Sequence, residues 1–349
     1  MVDHGRGGGG QRLYPRSSPL PGQHGQGRGQ EGERPAVAHQ PREPGAVPGQ
    51  REARSTPGES RAWGRVAPCG AGTGGWHGRT GNVIIVAVAN QKGGTGKTTT
   101  AVTLGHKLAQ DGYRVLLVDT DAQGHVASAL GLDKAPGIMR LVAWYKRTAE
   151  EPLVLSARPG LDLIPSNAQT TEAKEILTGM RFREDFLERA LGELGADYDA
   201  VVIDCAPSVD VLHMAALVAA DWLVVPTRLD YLAVDGVNEV ILLLKETKQF
   251  RPQAADLLGI LPTFFDRRTN ETLEQLEILV KTFKDLVLPP VPVDVKLREA
   301  PAFGESIWEY APTSRSVVGI NSGQGRVYGG YARFVEWMER RLWPSEDKP

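Results

Sequence analysis

Asn90-Gln-Lys-Gly-Gly-Thr-Gly-Lys-Thr-Thr-Thr100 is the stretch on which the fold turns. It follows an apolar run, Val83 to Ala89, and leads into apolar positions at helical spacing, Ala101, Leu104, Leu108 and Ala109. A buried strand that breaks into a glycine loop and then opens a helix is the context a phosphate-binding loop needs, because backbone N–H groups at the helix start point at the anion. Gly93, Gly94 and Gly96 let the backbone wrap phosphates without side-chain clash, and Lys97 can place its charge on the β- and γ-phosphates. Thr98 then offers a hydroxyl to Mg2+. The expected nucleotide site is the run Lys92, Gly93, Gly94, Thr95, Gly96, Lys97, Thr98 and Thr99, with ATP and Mg2+ as its ligands.

Lys92, directly before the first glycine, goes beyond the common loop. The run Lys-Gly-Gly-Thr-Gly-Lys-Thr resembles the deviant Walker A box of the ParA/MinD/Soj ATPases. The resemblance implies that Lys92 reaches across an ATP-bound homodimer to the partner's nucleotide, and that Lys92, Lys97 and Asp121 are the catalytic residues.

Downstream, Tyr113 to Asp119 reads as a second strand that delivers Asp119-Thr-Asp-Ala-Gln-Gly124 to the carboxyl edge of the sheet, where ligands of parallel α/β sheets sit. The family pattern here is D-x-D-P-Q-G-N. By resemblance Asp121 orients the attacking water, while Asp119 either binds the metal or caps the following turn. Ala122 and His125 depart from the pattern and put the loop's rigidity in doubt. Tyr198-Asp-Ala-Val-Val-Ile-Asp204 is a strand ending in an acid, a Walker B whose Asp204 binds Mg2+. Cys205 beside it reads as a small buried thiol, since no His or second Cys accompanies it.

The remaining elements follow from periodicity. Helices are expected over 135–157, 174–194, 215–220, 231–249, 273–283 and 330–343, and further strands at 161–165, 221–226 and 257–263. Strands that are continuous apolar runs, alternating with helices, imply a sheet covered on both faces. The expected fold is α/β, a doubly wound, mostly parallel sheet of the P-loop NTPase type, over residues 82–349. The family resemblance runs from about Val83 to about Arg315, and residues 321–329 form an extra stretch that its pattern lacks.

Composition bounds the rest. The chain has 349 residues, 41% of them hydrophobic, and a net charge of -2. That sum hides an asymmetry: residues 1–82 carry 11 Arg, no Lys and 6 acidic residues, which leaves the remainder acidic. Residues 1–81 hold half of the glycines and scarcely any apolar periodicity, so they are expected to be a disordered arm. That arm reads as a basic nucleic-acid contact, as a partner-binding tail, or as residues upstream of the true start; its exclusive use of Arg over Lys favours the last. Cys69 and Cys205 give neither a disulfide framework nor a zinc pattern. No apolar run reaches the ~18 residues of a membrane span. A cytoplasmic, nucleoid-associated protein is the expectation.

Three function classes follow. A ParA-type partition ATPase would dimerise with ATP, bind DNA without sequence preference, and respond to a ParB-like activator. By resemblance its DNA contacts fall on Arg268, within Phe265-Asp-Arg-Arg-Thr269, and on Lys296, within the segment Val291 to Pro301. Val293 replaces a family arginine there, and Arg298 can restore the charge. A MinD-like membrane switch is the alternative, because Phe334, Trp337, Met338 and Leu342 lie against Arg333, Arg340 and Arg341 as on a membrane-surface helix. The DNA motifs weigh against the membrane. A relative of the nitrogenase iron protein would need two cysteines after the loop and finds only Cys205.

Overall fold

The computed structural model describes residues 83–343, apart from 136, 153, 195–196 and 322–326. The arm expected over residues 1–81 lies outside the described residues, as does the middle of the extra stretch 321–329. Seven strands form the main sheet: β1 Ile84–Val88, β2 Val115–Asp119, β3 Leu155–Arg158, β4 Leu161–Ile164, β5 Ala200–Asp204, β6 Trp222–Arg228 and β7 Asp256–Thr263. Their order is β3-β4-β2-β5-β1-β6-β7, and every pairing is parallel except β3 with β4. This is the doubly wound, mostly parallel sheet expected.

Successive side chains of a strand point to opposite faces, so each central strand feeds two cores. Ile84, Val86 and Val88 of β1 belong to one and Ile85 and Ala87 to the other. The first core is covered by α1 Lys97–Gln110 and α2 His125–Ala129. The second is covered by α3 Ile138–Tyr145, α4 Thr170–Thr178, α5 Phe186–Leu194, α6 Val211–Ala219, α7 Ala233–Phe250 and α8 Asn270–Phe283. The chain then returns to the first face with the short helices α9 Lys296–Glu299, α10 Ile307–Tyr310 and α11 Arg315–Val318, and ends in α12 Tyr331–Leu342. Two-residue strands β8 Ile320–Asn321 and β9 Val327–Tyr328 pair antiparallel across the extra stretch.

Two helix expectations are corrected. The helix expected over 135–157 is only α3; beyond Pro152 the pattern changes period, Leu155 and Ala157 alternate with polar residues, and β3 forms as the antiparallel edge. The helix expected over 174–194 is two, α4 and α5, separated by Gly179 and by Phe182 at φ 55.

The terminal helix bears on the membrane alternative. Tyr331, Phe334, Met338 and Leu342 are buried in the first core, and the Tyr331 hydroxyl lies 3.1 Å from the Thr100 hydroxyl on α1. The apolar face that a membrane would need is therefore spent on the domain. No described helix is long and apolar enough to cross a membrane. Phe334→Ala is expected to cost about 3–5 kcal/mol of stability, the price of an emptied core site. Urea denaturation measures this; an unchanged midpoint would return α12 to the surface.

Candidate nucleotide site

Three neighbouring strands assemble the site. β5 lies between β2 and β1, with Asp204 in register with both Asp119 and Val88. The loops after β1 and β2 and the end of β5 consequently open at one carboxyl edge, the place where ligands of such sheets bind.

The glycine loop is anchored at its start. Buried Asn90 donates its side-chain amide to the Pro226 carbonyl at 2.9 Å, and its Oδ1 accepts from the Lys92 N–H at 2.9 Å. Gly94 and Gly96 take left-handed φ of +71° and +90°, and a Cβ at Gly93 or Gly94 would meet nothing within 4 Å. The loop is therefore an open cradle of backbone N–H groups at the start of α1. The Thr263 hydroxyl at the end of β7 donates to the Thr95 carbonyl at 2.9 Å and steadies its far side. Lys97 is buried and folds back so that its Nζ donates to the Lys92 carbonyl at 2.9 Å. Burial lowers its pKa, against the pull first of Asp204.

The Thr98 hydroxyl donates to Asp204 Oδ2 at 2.7 Å. The other oxygen, Oδ1, is buried with no hydrogen-bond partner among the described residues. Burial pushes the Asp204 carboxyl up to about 7, while the Thr98 bond and the Lys97 charge pull it back. An orphaned carboxylate oxygen beside a loop hydroxyl is what a hard cation completes, so Thr98 and Asp204 fit Mg2+. The described residues contain no group of three or more His, Cys, Asp or Glu that could cage a metal. That suits an ion which takes few protein ligands and fills its shell with phosphate oxygens and water.

Asp119 has a different place from the metal-ligand expectation. It is fully buried, its Oδ1 accepts from the Asp121 N–H at 2.9 Å and its Oδ2 from the Val126 N–H at 3.1 Å. Both oxygens accept from its own loop, so the carboxyl shapes the turn. Burial, reinforced by Asp204, holds its pKa well above the usual carboxylate range. Asp121 is partly exposed at the same edge, its Oδ1 accepting from the Gln123 N–H at 3.0 Å. The loop's rigidity survives the loss of proline at Ala122, because Gly124 at φ +63° is pinned: a Cβ there would lie 2.2 Å from the Ser166 carbonyl. Burial pushes the Cys205 thiol up, which keeps it neutral.

The periodicity of the sequence did not disclose the ion pair that caps α6. Lys174 pairs with Asp210 at 2.7 Å, and Asp210 caps α6 by accepting from the Leu212 and His213 N–H groups. Asp210 two residues after Ser208, just before an apolar helical run, was its signal as a helix cap.

The expected DNA residues sit on two loops that run side by side: the Phe265 N–H donates to the Val291 carbonyl and the Val293 N–H to the Phe265 carbonyl. Arg268 is exposed but forks onto Asp266 at 2.9 and 2.7 Å, which draws that carboxyl down to about 2. Lys296 bonds to Glu299 at 2.8 Å. Arg298 is exposed, with no ion pair among the described residues.

Residues 83–256 match the family described as an AAA domain. The chain is 38% identical over 234 residues to the sporulation initiation inhibitor protein Soj of Bacillus subtilis, across 66% of this chain and 92% of that protein. It belongs to the Soj/ParA family of P-loop ATPases. The chromosome-partitioning ATPase Soj of Thermus thermophilus is 39% identical over 233 residues, 66% of this chain and 89% of its own. Among solved structures, cobyrinic acid a,c-diamide synthase from Mycobacterium smegmatis with bound ATP analog and magnesium has a TM-score of 0.56 at 31% identity, covering 70% of this chain and 99% of that one. An ATP complex of McdA from Cyanothece shares the fold at a TM-score of 0.63 and 22% identity, over 77% of this chain and 100% of that one. The family member described here is an ATPase.

Its pH dependence follows from Asp204. The folded pKa of about 7 exceeds the ordinary 3.8, so between these values the folded state holds a proton that the unfolded chain has lost. Stability without metal therefore falls as pH rises through that window. Asp204→Asn is expected to be more stable than wild type at pH 8 by on the order of 1 kcal/mol or more, with the difference vanishing toward pH 4. Urea melts in chelator at both pH values measure it; a constant difference would remove Asp204 as the cause.

Proposed function

We propose that this ATPase forms an ATP-dependent homodimer in the cytoplasm, binds nucleoid DNA without sequence preference, and is switched by a ParB-like activator to move a large cargo. The observation that carries the reading is where the two lysines of the loop go. Lys97 is folded into its own loop. Lys92 leaves it: its Nζ hydrogen-bonds to the Leu232 carbonyl and lies 4.0 Å from Asp230 Oδ1, at the turn that opens α7. A lysine held on its own subunit's outer turn, weakly paired and partly exposed, is available to a neighbour's phosphates at small cost.

Hydrolysis asks little covalent chemistry of a protein of this kind and depends on position and charge. Lys97 holds the terminal phosphates, Thr98 and Asp204 hold the metal, and Asp121 orients the attacking water. Asp119 fixes the Asp121 backbone. Magnesium, when bound, neutralises charge on the β- and γ-phosphate oxygens. Lys92 of the partner completes the charge around the transferred group, which makes turnover depend on assembly.

Lys97→Ala is expected to abolish nucleotide binding, whereas Lys92→Ala keeps binding within about threefold and loses the ATP-dependent dimer, since its ion pair at home contributes little. Nucleotide titration and size-exclusion chromatography with ATP separate the two; a Lys92→Ala protein that dimerises normally would sink the cross-dimer role.

For DNA, phosphate contacts set affinity without reading sequence. Changing Arg268 and Lys296 together to Glu should weaken binding to all duplexes alike and flatten the salt dependence by roughly one unit of slope per lost contact. Electrophoretic retardation with ATP at several salt concentrations is the measurement. Unchanged affinity and slope would place the DNA surface elsewhere.

A further inference from the structure

We infer that Arg158 is a positioning residue that locks the segment from Lys296 to Tyr310 to the exits of the nucleotide site, so that the nucleotide state of the site reaches that segment through its guanidinium. The inference rests on the DNA reading above only for what the segment does, not for the brace itself.

Arg158 ends the edge strand β3, about as far from the glycine loop as the sheet allows, and its guanidinium gathers three pieces of chain. One donor pair serves Leu130, at 3.4 Å, and its neighbour Ala157, at 2.7 Å. Another nitrogen donates to the Gly304 carbonyl at 2.8 Å, and the fork closes on the Glu309 carboxylate at 2.6 and 3.2 Å. Leu130 is where α2 ends, and α2 starts directly after the loop that carries Asp119 and Asp121. Gly304 closes the turn Ala300–Phe303 that follows α9. At this junction the two backbones touch. A Cβ at Gly304 would lie 2.8 Å from the Gly131 Cα, and both glycines have φ of +69°.

The same segment is fastened to the other exit. α1 leaves the glycine loop at Lys97, and its buried His106 shares a 2.6 Å hydrogen bond with the buried Ser306 hydroxyl. The Trp308 indole N–H donates to the Thr103 carbonyl at 2.8 Å. Glu309 ties the two fastenings together: it accepts from the Ser306 N–H at 2.8 Å, stands 3.9 Å from His106 and receives Arg158. Burial lowers the His106 pKa, with Glu309 opposing and Arg158 assisting.

Both helices that leave the nucleotide site thus contact one segment, and Arg158 holds the α2 exit and that segment with side-chain hydrogen bonds across their backbone contact. Only a guanidinium does this, because its donors form a rigid planar fork that serves carbonyls and a carboxylate together. A lysine at the same place keeps the ion pair with Glu309 and loses the fork. That difference separates positioning from simple adhesion.

The test uses the full chain with Arg158→Lys and Glu309→Gln. Hydrogen–deuterium exchange over residues 296–310 is compared with ADP and with a non-hydrolysable ATP analogue, alongside thermal midpoints, basal ATPase and duplex affinity. Wild type should show nucleotide-dependent protection of the segment, and Glu309→Gln, whose amide nitrogen cannot accept, should keep only part of it. Arg158→Lys should lose that dependence, with basal turnover within about twofold and duplex affinity with ATP about tenfold lower. If Arg158→Lys keeps the nucleotide-dependent protection, or if wild type has none, the inference is overturned. It is equally overturned if Arg158→Lys simply melts early and loses turnover in proportion, which is the signature of a structural contact. If the exchange behaves as expected but neither protein binds duplex, the brace stands and the DNA reading falls.

Discussion

Two carboxylates buried side by side at the carboxyl edge of the sheet, Asp119 and Asp204, set the terms for the whole site. An ionised carboxyl taken out of water is costly unless it is paired and hydrogen-bonded, and after burial itself it is Asp204 that most raises the pKa of Asp119. The chain resolves the two differently. Asp119 spends both oxygens on N–H groups of its own loop. Asp204 has Thr98 on one oxygen and nothing on the other. The satisfied carboxylate holds its own loop in shape, and the unsatisfied one leaves the place where a cation would lower the energy of the site. The difference lies in the unequal hydrogen bonding of two equally buried side chains.

The first core shows why a sequence alone left the C-terminal helix open. An amphipathic stripe of Phe334, Met338 and Leu342 flanked by arginines satisfies the requirements of a membrane-surface helix and of a core-packing helix equally, since both need one apolar face and one charged face. What decides is whether a complementary surface exists. α1 supplies it, through Thr100 and its apolar neighbours, and α1 is the helix that the phosphate loop begins. The terminal helix thereby becomes part of the support for the loop.

The nucleotide site was legible because its determinants are local: the glycines, Lys97 and Thr98 lie within a few residues of one another, and each strand that delivers an aspartate is a continuous apolar run. The parallel sheet was legible for the same reason. What was not legible depends on distant partners. β3 was read as helix because its four residues have no side-chain signature stronger than the helical period preceding them, and it forms by pairing with β4. The role of Asp119 was ambiguous because a turn cap and a metal ligand require the same residue. Arg158 gave no signal at all, since the acceptors it joins lie 28 and 151 residues away.

The self-pairing of Arg268 and Lys296 bears on how such a surface would meet DNA. Each charge already has a carboxylate two or three residues along the chain, Asp266 or Glu299, so the free protein shows phosphates a surface partly neutralised. Both pairs are solvent-exposed, and exposed ion pairs are worth little, so exchanging a carboxylate for a phosphate costs each pair little. The displaced acid is the larger matter: left beside the duplex, it repels the phosphate that replaced it unless a further cation takes it up. Arg267 adjoins Asp266 and Arg298 adjoins Glu299 in the chain, and Arg315 also acts on Asp266 through its field. A surface of this kind would bind tightly only where several such exchanges occurred at once, as in the proposed dimer, and a single subunit carrying one copy would be held weakly. On that proposal the self-pairing of these residues in the isolated subunit would make their contact with DNA depend on assembly.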